Sequence, residues 1–209
     1  MKSKDQDAQL PAKKVGRPRE FDTEEALDKA MHLFWEKGYD GTSLAELATV
    51  MGITKPSLYA AFTDKQHLFE AALTRYAEGP NSFAIRAHKL SKAKAVVQAL
   101  LEGAVNVSTC KTGPRGCMFT QASMANDPEV RDAATENTQR GERMLEQRLL
   151  KARDQRELPR QTDCAALARY YTTVALGITV RGASGSSRSE LRTVVEESMR
   201  AWPTDDAAQ

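Results

Sequence analysis

The sequence of 209 residues lacks any apolar run near the ~18 residues that a membrane-spanning helix needs. Its first 14 residues contain no apolar segment of the signal-peptide type. Cysteine is scarce: Cys110, Cys117 and Cys164 form no Cys-x-x-Cys pair, and an odd number fits a reducing compartment better than a disulfide framework. These absences predict a soluble, cytoplasmic protein with no membrane partner.

A catalytic constellation is also missing from the sequence. The three histidines, His32, His67 and His88, fall on separate predicted helices, and there is no Ser/His/Asp set and no phosphate-binding loop. Alternating β-branched residues, which are typical of strands, are almost absent, while apolar residues recur at helical spacing. We therefore expect an all-α protein that is not an enzyme and needs no cofactor or metal.

The most informative stretch is Ser43–Phe62, which has the pattern of a helix, a three-residue turn and a second helix. The first helix is amphipathic, has Thr42 or Ser43 as its N-cap and ends at Gly52, which supplies the sharp reversal. Thr54 is the expected N-cap of the second helix. The pattern predicts a helix-turn-helix whose second helix can enter the major groove of DNA.

Residues 16–73 closely resemble the N-terminal DNA-binding domain of the tetracycline-repressor (TetR/AcrR) family, because the turn glycine, Leu58-Tyr59, Phe62 and Lys65 stand at the family's spacing. The resemblance implies a dimeric transcriptional regulator, with repression as the expected mode. Its two recognition helices would enter successive major grooves of a palindromic operator, about 34–36 Å apart. A small-molecule effector bound by the C-terminal domain would release the DNA.

The expected fold class is all-α with about nine helices, divided into three regions. Residues 1–19 form a basic tail that is predicted to be disordered. Residues 20–79 form the three-helix helix-turn-helix DNA-binding domain. Residues 80–209 form the helical effector-binding and dimerisation domain. The boundary is drawn at Gly79, where the helical pattern breaks.

The position of positive charge matters more than its amount, because residues 1–65 hold 10 Lys and Arg against 11 Asp and Glu. The cations of the tail can lie in a minor groove, or they can be merely solvated. A lysine at the start of the fourth helix opposes the helix dipole, so a phosphate partner or free solvation could account for it. The expected DNA contacts are Arg17, Arg19, Thr42, Ser43, Thr54, Lys55, Pro56, Ser57, Tyr59 and Lys65.

The last two long helices are the expected dimer interface. The helix that follows Thr162 is apolar nearly all round, and the final helix carries one apolar stripe. The resemblance implies that both pair with their symmetry mates, while burial in a monomer core is the alternative. The expected interface residues are Tyr170, Val174, Gly177, Val180, Leu191, Val195 and Trp202.

The effector pocket is expected among the helices that follow residue 80, where apolar walls with a few polar groups suit an organic ligand. The candidate lining residues are Phe83, Leu100, Cys117, Met118, Gln121 and Tyr171. Cys117 follows Gly116 at the start of a short helix and stands near Arg115, a setting that favours a thiolate. It is either a sensor of oxidants or electrophiles, one soft metal ligand, or a buried apolar side chain.

Two other functional classes remain open from the sequence. In one, the chain is a small-molecule-binding or thiol-reactive helical protein, possibly catalytic, whose helix pair is only structural. In the other, it is an architectural DNA-binding protein without an effector. Specific binding to a palindrome, and its loss when a compound is added, distinguishes the regulator from both.

Overall fold

The computed structural model describes residues 22–111 and 113–204, and these residues contain ten α-helices. In chain order the helices are α1 Thr23–Lys37, α2 Leu44–Met51, α3 Lys55–Phe62, α4 Lys65–Glu78, α5 Phe83–Ala87, α6 Ala93–Ser108, α7 Met118–Ala122, α8 Pro128–Asp154, α9 Cys164–Ala183 and α10 Arg188–Arg200. The all-α prediction is confirmed. The helix that the sequence did not indicate is α5, whose five residues are too few for a periodic signal.

Side-chain caps begin seven of the ten described helices. Asp22 accepts hydrogen bonds from two backbone N–H groups at the start of α1. Ser43, and not Thr42, caps α2 through a capping box with Glu46. Asp127 caps α8, with Pro128 in its first turn. Because a cap depends on only three or four consecutive residues, these helix starts follow from local sequence.

The first core lies between α1, α2, α3 and α4, and it is closed by α7 and the start of α8. Phe34 of α1 meets Phe69 of α4 edge to face, with ring centroids 4.9 Å apart. Trp35 meets Tyr76 in the same manner at 5.0 Å. Although α4 ends at the expected boundary, capped by Gly79, the packing of this core continues into α7.

The second core is formed by α6, the C-terminal half of α8, α9 and α10. Its α6 has no side-chain cap from its own N-cap residue. Instead, the Ala93 N–H donates to Glu157 Oε2 at 2.9 Å, across 64 residues of chain. This bond, assisted by the nearby charges of Arg148 and Lys92, lowers the pKa of Glu157. The turn that follows α8 is thereby bonded to the start of α6.

Helix α8 spans both cores. Val130 and Ala134 belong to the first core, while Leu145 and Leu149 belong to the second. None of residues 135–144 between them is buried. About three turns of α8 therefore have no tightly packed layer beneath them, and a cavity occupies that space.

Candidate DNA-binding surface and effector cavity

The turn between α2 and α3 has the geometry of a helix-turn-helix. Gly52 adopts a left-handed conformation, with φ 71° and ψ 28°, which glycine reaches without a steric penalty. Leu58 anchors α3 in the first core and is fully buried. On the opposite side Lys55, Pro56 and Tyr59 are exposed. The second helix therefore presents a surface with one cation and one aromatic ring.

The remaining expected contacts near this helix have partners within the chain. Thr54 Oγ1 accepts the Ser57 N–H at 3.3 Å, and the two hydroxyl oxygens lie 2.9 Å apart. Ser43 is exposed and shares its capping box with Glu46. A hydrogen bond from Lys37, followed by bonds from Ser43, lowers the pKa of Glu46 to about 2. The first turns of both helices are thus capped by side chains.

Thr42 cannot serve as a DNA contact in this conformation, and the prediction for it is wrong. Its side chain is 1% exposed, and its hydroxyl donates to the Gly38 carbonyl at 2.7 Å. The hydroxyl therefore closes the turn between α1 and α2. The sequence offered two adjacent capping residues, and only the fold decides which of them points outward.

Lys65 stands at the start of α4 and is half-buried. Its ammonium nitrogen lies 4.1 Å from the centroid of the Tyr39 ring, within the range of a cation–π contact. Burial lowers the pKa of Lys65, while the charges of Asp40 and Asp127 oppose that shift. Lys65 is therefore neither freely solvated nor paired with one acid. Arg17 and Arg19, the expected minor-groove contacts, lie outside the described residues.

A cavity of about 260 Å³ lies beneath the middle of α8, bounded by α4 to α9. Four of the six expected pocket residues line it: Phe83, Leu100, Cys117 and Tyr171. Most other lining residues are apolar, including Val97, Leu101, Phe119, Leu145 and Leu176. The cavity is large enough for a small organic molecule and too apolar for a bare ion.

Met118 and Gln121 do not line the cavity, so the predictions for these two residues are wrong. Met118 is fully buried in the first core, on the side of α7 that packs against α1 and α4. Its neighbour Cys117 lies at the N-cap of α7, and its half-buried side chain contributes to the cavity wall. Cys117 therefore contacts both the first core and the cavity, whereas Met118 is buried in the first core.

Polar groups in the cavity wall differ in depth. Thr120 and Thr179 are buried, and their hydroxyl oxygens are 3.0 Å apart. Burial, followed by the charge of Arg148, lowers the pKa of His88 below its usual value, so its imidazole is neutral at pH 7. Asn81 and Asn137 are only half-buried. In the described part of the chain, no group of three or more His, Cys, Asp or Glu side chains could hold a metal ion.

Helix α7 touches both the cavity and the first core. Phe119 lines the cavity and also meets the Tyr76 ring of α4, with centroids 5.7 Å apart. Just before α7, the Gly116 carbonyl accepts the Trp35 indole N–H at 3.1 Å. The Tyr76 hydroxyl is fully buried without a hydrogen bond of ordinary geometry, and burial, with the neighbouring Cys117 thiol, raises its pKa well above the usual value. A molecule in the cavity would therefore press on a segment that contacts α1 and α4.

The structure separates the expected interface residues into two groups. Tyr170, Gly177 and Val180 lie on the outer side of α9, where Tyr170 and Val180 are 42% and 41% exposed. Val174 is half-buried and packs against the second core. By contrast, the structure places three residues in the second core, and the interface prediction for them is wrong: Leu191, Val195 and Trp202. The apolar stripe of α10 is used to pack against α6 and α9 of the same chain.

No helix within the described ranges combines the length and apolar character that crossing a membrane requires. Taken together, the left-handed glycine turn, the outward face of α3 and the separate helical layer with its cavity define a helix-turn-helix regulator. Models of known families match both halves. Residues 26–72 match the bacterial regulatory proteins of the tetR family, and residues 93–196 match the tetracyclin repressor-like C-terminal domain.

Individual proteins match over nearly the whole chain. The transcriptional repressor ComR of Escherichia coli is 34% identical over 203 residues, which cover 93% of this chain and 95% of ComR. The repressor BdcR of the same organism is 32% identical over 178 residues, covering 84% and 86%. A cysteine mutant of the regulator CifR, solved with 26-base-pair operator DNA, superposes with a TM-score of 0.83 at 37% identity, covering 90% and 100%. The chain belongs to the TetR family of transcriptional regulators.

Proposed function

We propose that the protein is a homodimeric repressor that binds a palindromic operator and leaves it when a small organic molecule occupies the cavity. The observation that carries this proposal is the exposed face of α3, which presents Lys55 and Tyr59 from a capped helix of the helix-turn-helix. The CifR complex with operator DNA supports it, since that chain is matched along its full length. A regulator of this type acts on DNA in the cytoplasm and needs no catalytic group.

The outer side of α9 supports self-association. Gly103 and Gly182 are needed inside the chain, because a Cβ there would strike Phe83 and Ser108. A Cβ at Gly177 would meet nothing within 4 Å. This glycine has no packing role in the monomer, although it weakens the helix, and close approach of a partner helix would account for it. Tyr170 and Val180 flank it with exposed apolar surface.

The conformational change that releases DNA would be transmitted through α7 as well as α4. The cavity is lined by one α4 residue, Ala77, and by Phe119 and Thr120 of α7. A ligand changes the equilibrium only by its difference in affinity between the two conformations. A coupling of about 1–3 kcal/mol between the sites would change operator affinity 5- to 150-fold.

The test is operator binding, measured by fluorescence anisotropy with the DNA that lies upstream of the gene for this protein. We expect tight binding to a palindrome and none to a scrambled duplex of equal length. A variant with Gly177→Arg should bind weakly and sediment as a monomer, because the charge would have to be buried in the interface. Equal affinity for both duplexes would favour the architectural role, and no binding would favour a structural helix pair.

Cys117 is a second candidate trigger, because its side chain lines the cavity. Oxidation or alkylation there would add bulk and polarity to the wall that α7 provides. Cys117→Ser separates the two triggers. If an organic ligand is the signal, the variant should still release DNA with that compound. If the thiol is the sensor, the variant should stay bound when an oxidant or electrophile is added.

A further inference from the structure

Two buried hydroxyl groups mark the inner wall of the cavity. Thr120 on α7 and Thr179 on α9 both line it, and they are only 8% and 6% exposed. Their oxygen atoms are 3.0 Å apart, so they share one hydrogen bond between the two helices. The other buried hydroxyl among the lining residues, that of Tyr171, donates to the Ser198 carbonyl on α10. The threonine pair is therefore the buried polar feature between α7 and α9 that a ligand could recognise.

The direction of this hydrogen bond follows from the neighbouring contacts. Thr179 Oγ1 donates to the Leu176 carbonyl at 2.8 Å. A hydroxyl group has one hydrogen and two acceptor positions. When both contacts form at once, the bond between the two threonines uses the hydrogen of Thr120. Both hydrogens are committed, whereas both oxygens keep unused lone pairs. The pair can accept a hydrogen bond from a ligand and has no hydrogen to give.

The remainder of the cavity limits the ligand further. Its other polar side chains, such as Asn81, His88 and Thr138, are half-buried and so lie nearer to solvent. Glu142 is paired with Arg169 at 3.6 Å, and Arg140 is exposed. A charged group deep in the cavity would lose its hydration without gaining a partner of opposite charge.

We propose that the effector is an uncharged, mainly apolar molecule with one hydroxyl or N–H group that donates to the Thr120–Thr179 pair. Its size follows from the cavity volume of about 260 Å³, which equals roughly nine water molecules in the liquid and suits about ten non-hydrogen atoms. This inference rests on the proposed function only in taking the cavity as the effector site. It adds the chemical class that the site selects.

The experiment uses calorimetry on the full chain with three probes of nearly equal shape. These are 4-tert-butylphenol, which can donate, 4-tert-butyltoluene, which has no polar group, and 4-tert-butylanisole, which can only accept. The readout is the ratio of phenol to toluene affinity, compared between variants, because this comparison cancels the different hydration of the probes.

Replacing both hydroxyls, Thr120→Val with Thr179→Val, should lower the ratio about three- to tenfold, the value of one neutral hydrogen bond. The matched control is Thr74→Val, which removes an exposed α4 hydroxyl that is bonded to the Glu70 carbonyl and lies outside the cavity lining, and it should leave the ratio unchanged. Thr179→Val alone frees the hydrogen of Thr120, so the ratio of anisole to toluene affinity should rise about threefold. Thermal melts establish that each variant is folded.

An unchanged phenol-to-toluene ratio in the double variant would overturn the inference, and so would failure of the wild type to bind any of the three probes at millimolar concentration. If the double variant does not fold, the inference is tested by Thr179→Val alone, and an unchanged ratio of anisole to toluene affinity in that variant would overturn it. Calorimetry needs no DNA, so these outcomes are independent of operator binding. If the phenol binds as expected and does not release the operator, the cavity selects this ligand class, and the release of DNA by cavity binding in the proposed function is refuted.

Discussion

Lys55 and Tyr59 are exposed on α3, opposite the buried Leu58. Replacing either side chain should therefore weaken DNA binding and leave folding unchanged. We expect Lys55→Ala and Tyr59→Ala each to weaken operator binding by about 1–3 kcal/mol, the usual value of a lost base contact. Anisotropy titrations measure this, and thermal melts should be unchanged. The control Lys94→Ala removes an exposed lysine of α6 and should bind normally. Normal binding by both α3 variants would exclude this helix from the groove.

Glu157 holds the first N–H group of α6, and its removal should weaken the second core. Glu157→Ala should lower the free energy of unfolding in urea by about 1–3 kcal/mol at pH 7, because a buried donor loses its charged acceptor. The pKa of Glu157 is lower in the folded state than its ordinary value of 4.5. The stabilisation is therefore present above pH 4.5 and is lost as pH falls through the lowered pKa.

The difference between wild type and Glu157→Ala should accordingly shrink below pH 4.5. Glu197→Ala is the matched control, since Glu197 is exposed and pairs only with Arg200 in the same helix. A surface pair of this kind contributes little. A difference that persists unchanged at low pH would show that lost packing, and not the carboxylate, explains the effect.

Local sequence predicts single residues well where the partner is near in the chain. The caps at Ser43 and Asp127 follow from neighbours three residues away. Cys117 and Met118 show the limit. They are adjacent in sequence and both pack against the first core, yet of the two residues Cys117 alone lines the cavity. Which way each points depends on how α7 packs against α1 and α4, and no local pattern contains that information.

Two exposed glycines inside helices, Gly141 of α8 and Gly177 of α9, allow a direct comparison at the scale of the element. A Cβ would meet nothing within 4 Å at either position. Gly141→Ala should raise the free energy of unfolding by up to about 1 kcal/mol, because alanine favours the helix. Gly177→Ala should instead weaken the dimer by about 1 kcal/mol or more, because the methyl group would meet the partner helix.

Sedimentation at several concentrations measures the dimer, and thermal melts measure stability. If Gly177→Ala behaves like Gly141→Ala, with a tighter or unchanged dimer, then α9 does not pack closely on its symmetry mate at this residue.

Helices α9 and α10 also show what periodicity can and cannot predict. Both were expected as helices and both are present. The stripe that contains Leu191 and Val195 was assigned to a dimer surface, and it is buried within the chain. An apolar stripe indicates that one face of a helix is buried. It does not indicate whether the residues that bury this face belong to the same molecule. Distinguishing the two requires the position of α6, which lies about 90 residues earlier.

On the scale of the whole molecule, the tail of residues 1–19, which lies outside the described residues, is expected to add a contact with DNA. Deleting residues 1–19 should weaken operator binding and flatten its dependence on salt. Four cations lie in that segment near its end: Lys13, Lys14, Arg17 and Arg19. If all four release counterions, the slope of log affinity against log salt should change by about 3–4.

The matched control keeps the length and replaces those four cations with Gln. It should reproduce the deletion if charge is the cause. An unchanged salt slope in both variants would show that the tail is only solvated.

The two buried tryptophans are divided between the two cores. Trp35 is packed in the first and Trp202 in the second, and the sequence contains no other tryptophan. Replacing either one with Phe leaves an indole whose emission reports on one half of the molecule. The unfolding of the DNA-binding half and that of the α9–α10 half thus become separately visible by fluorescence. Whether the two transitions coincide measures directly how firmly α8, which crosses from one core to the other, makes them a single cooperative unit.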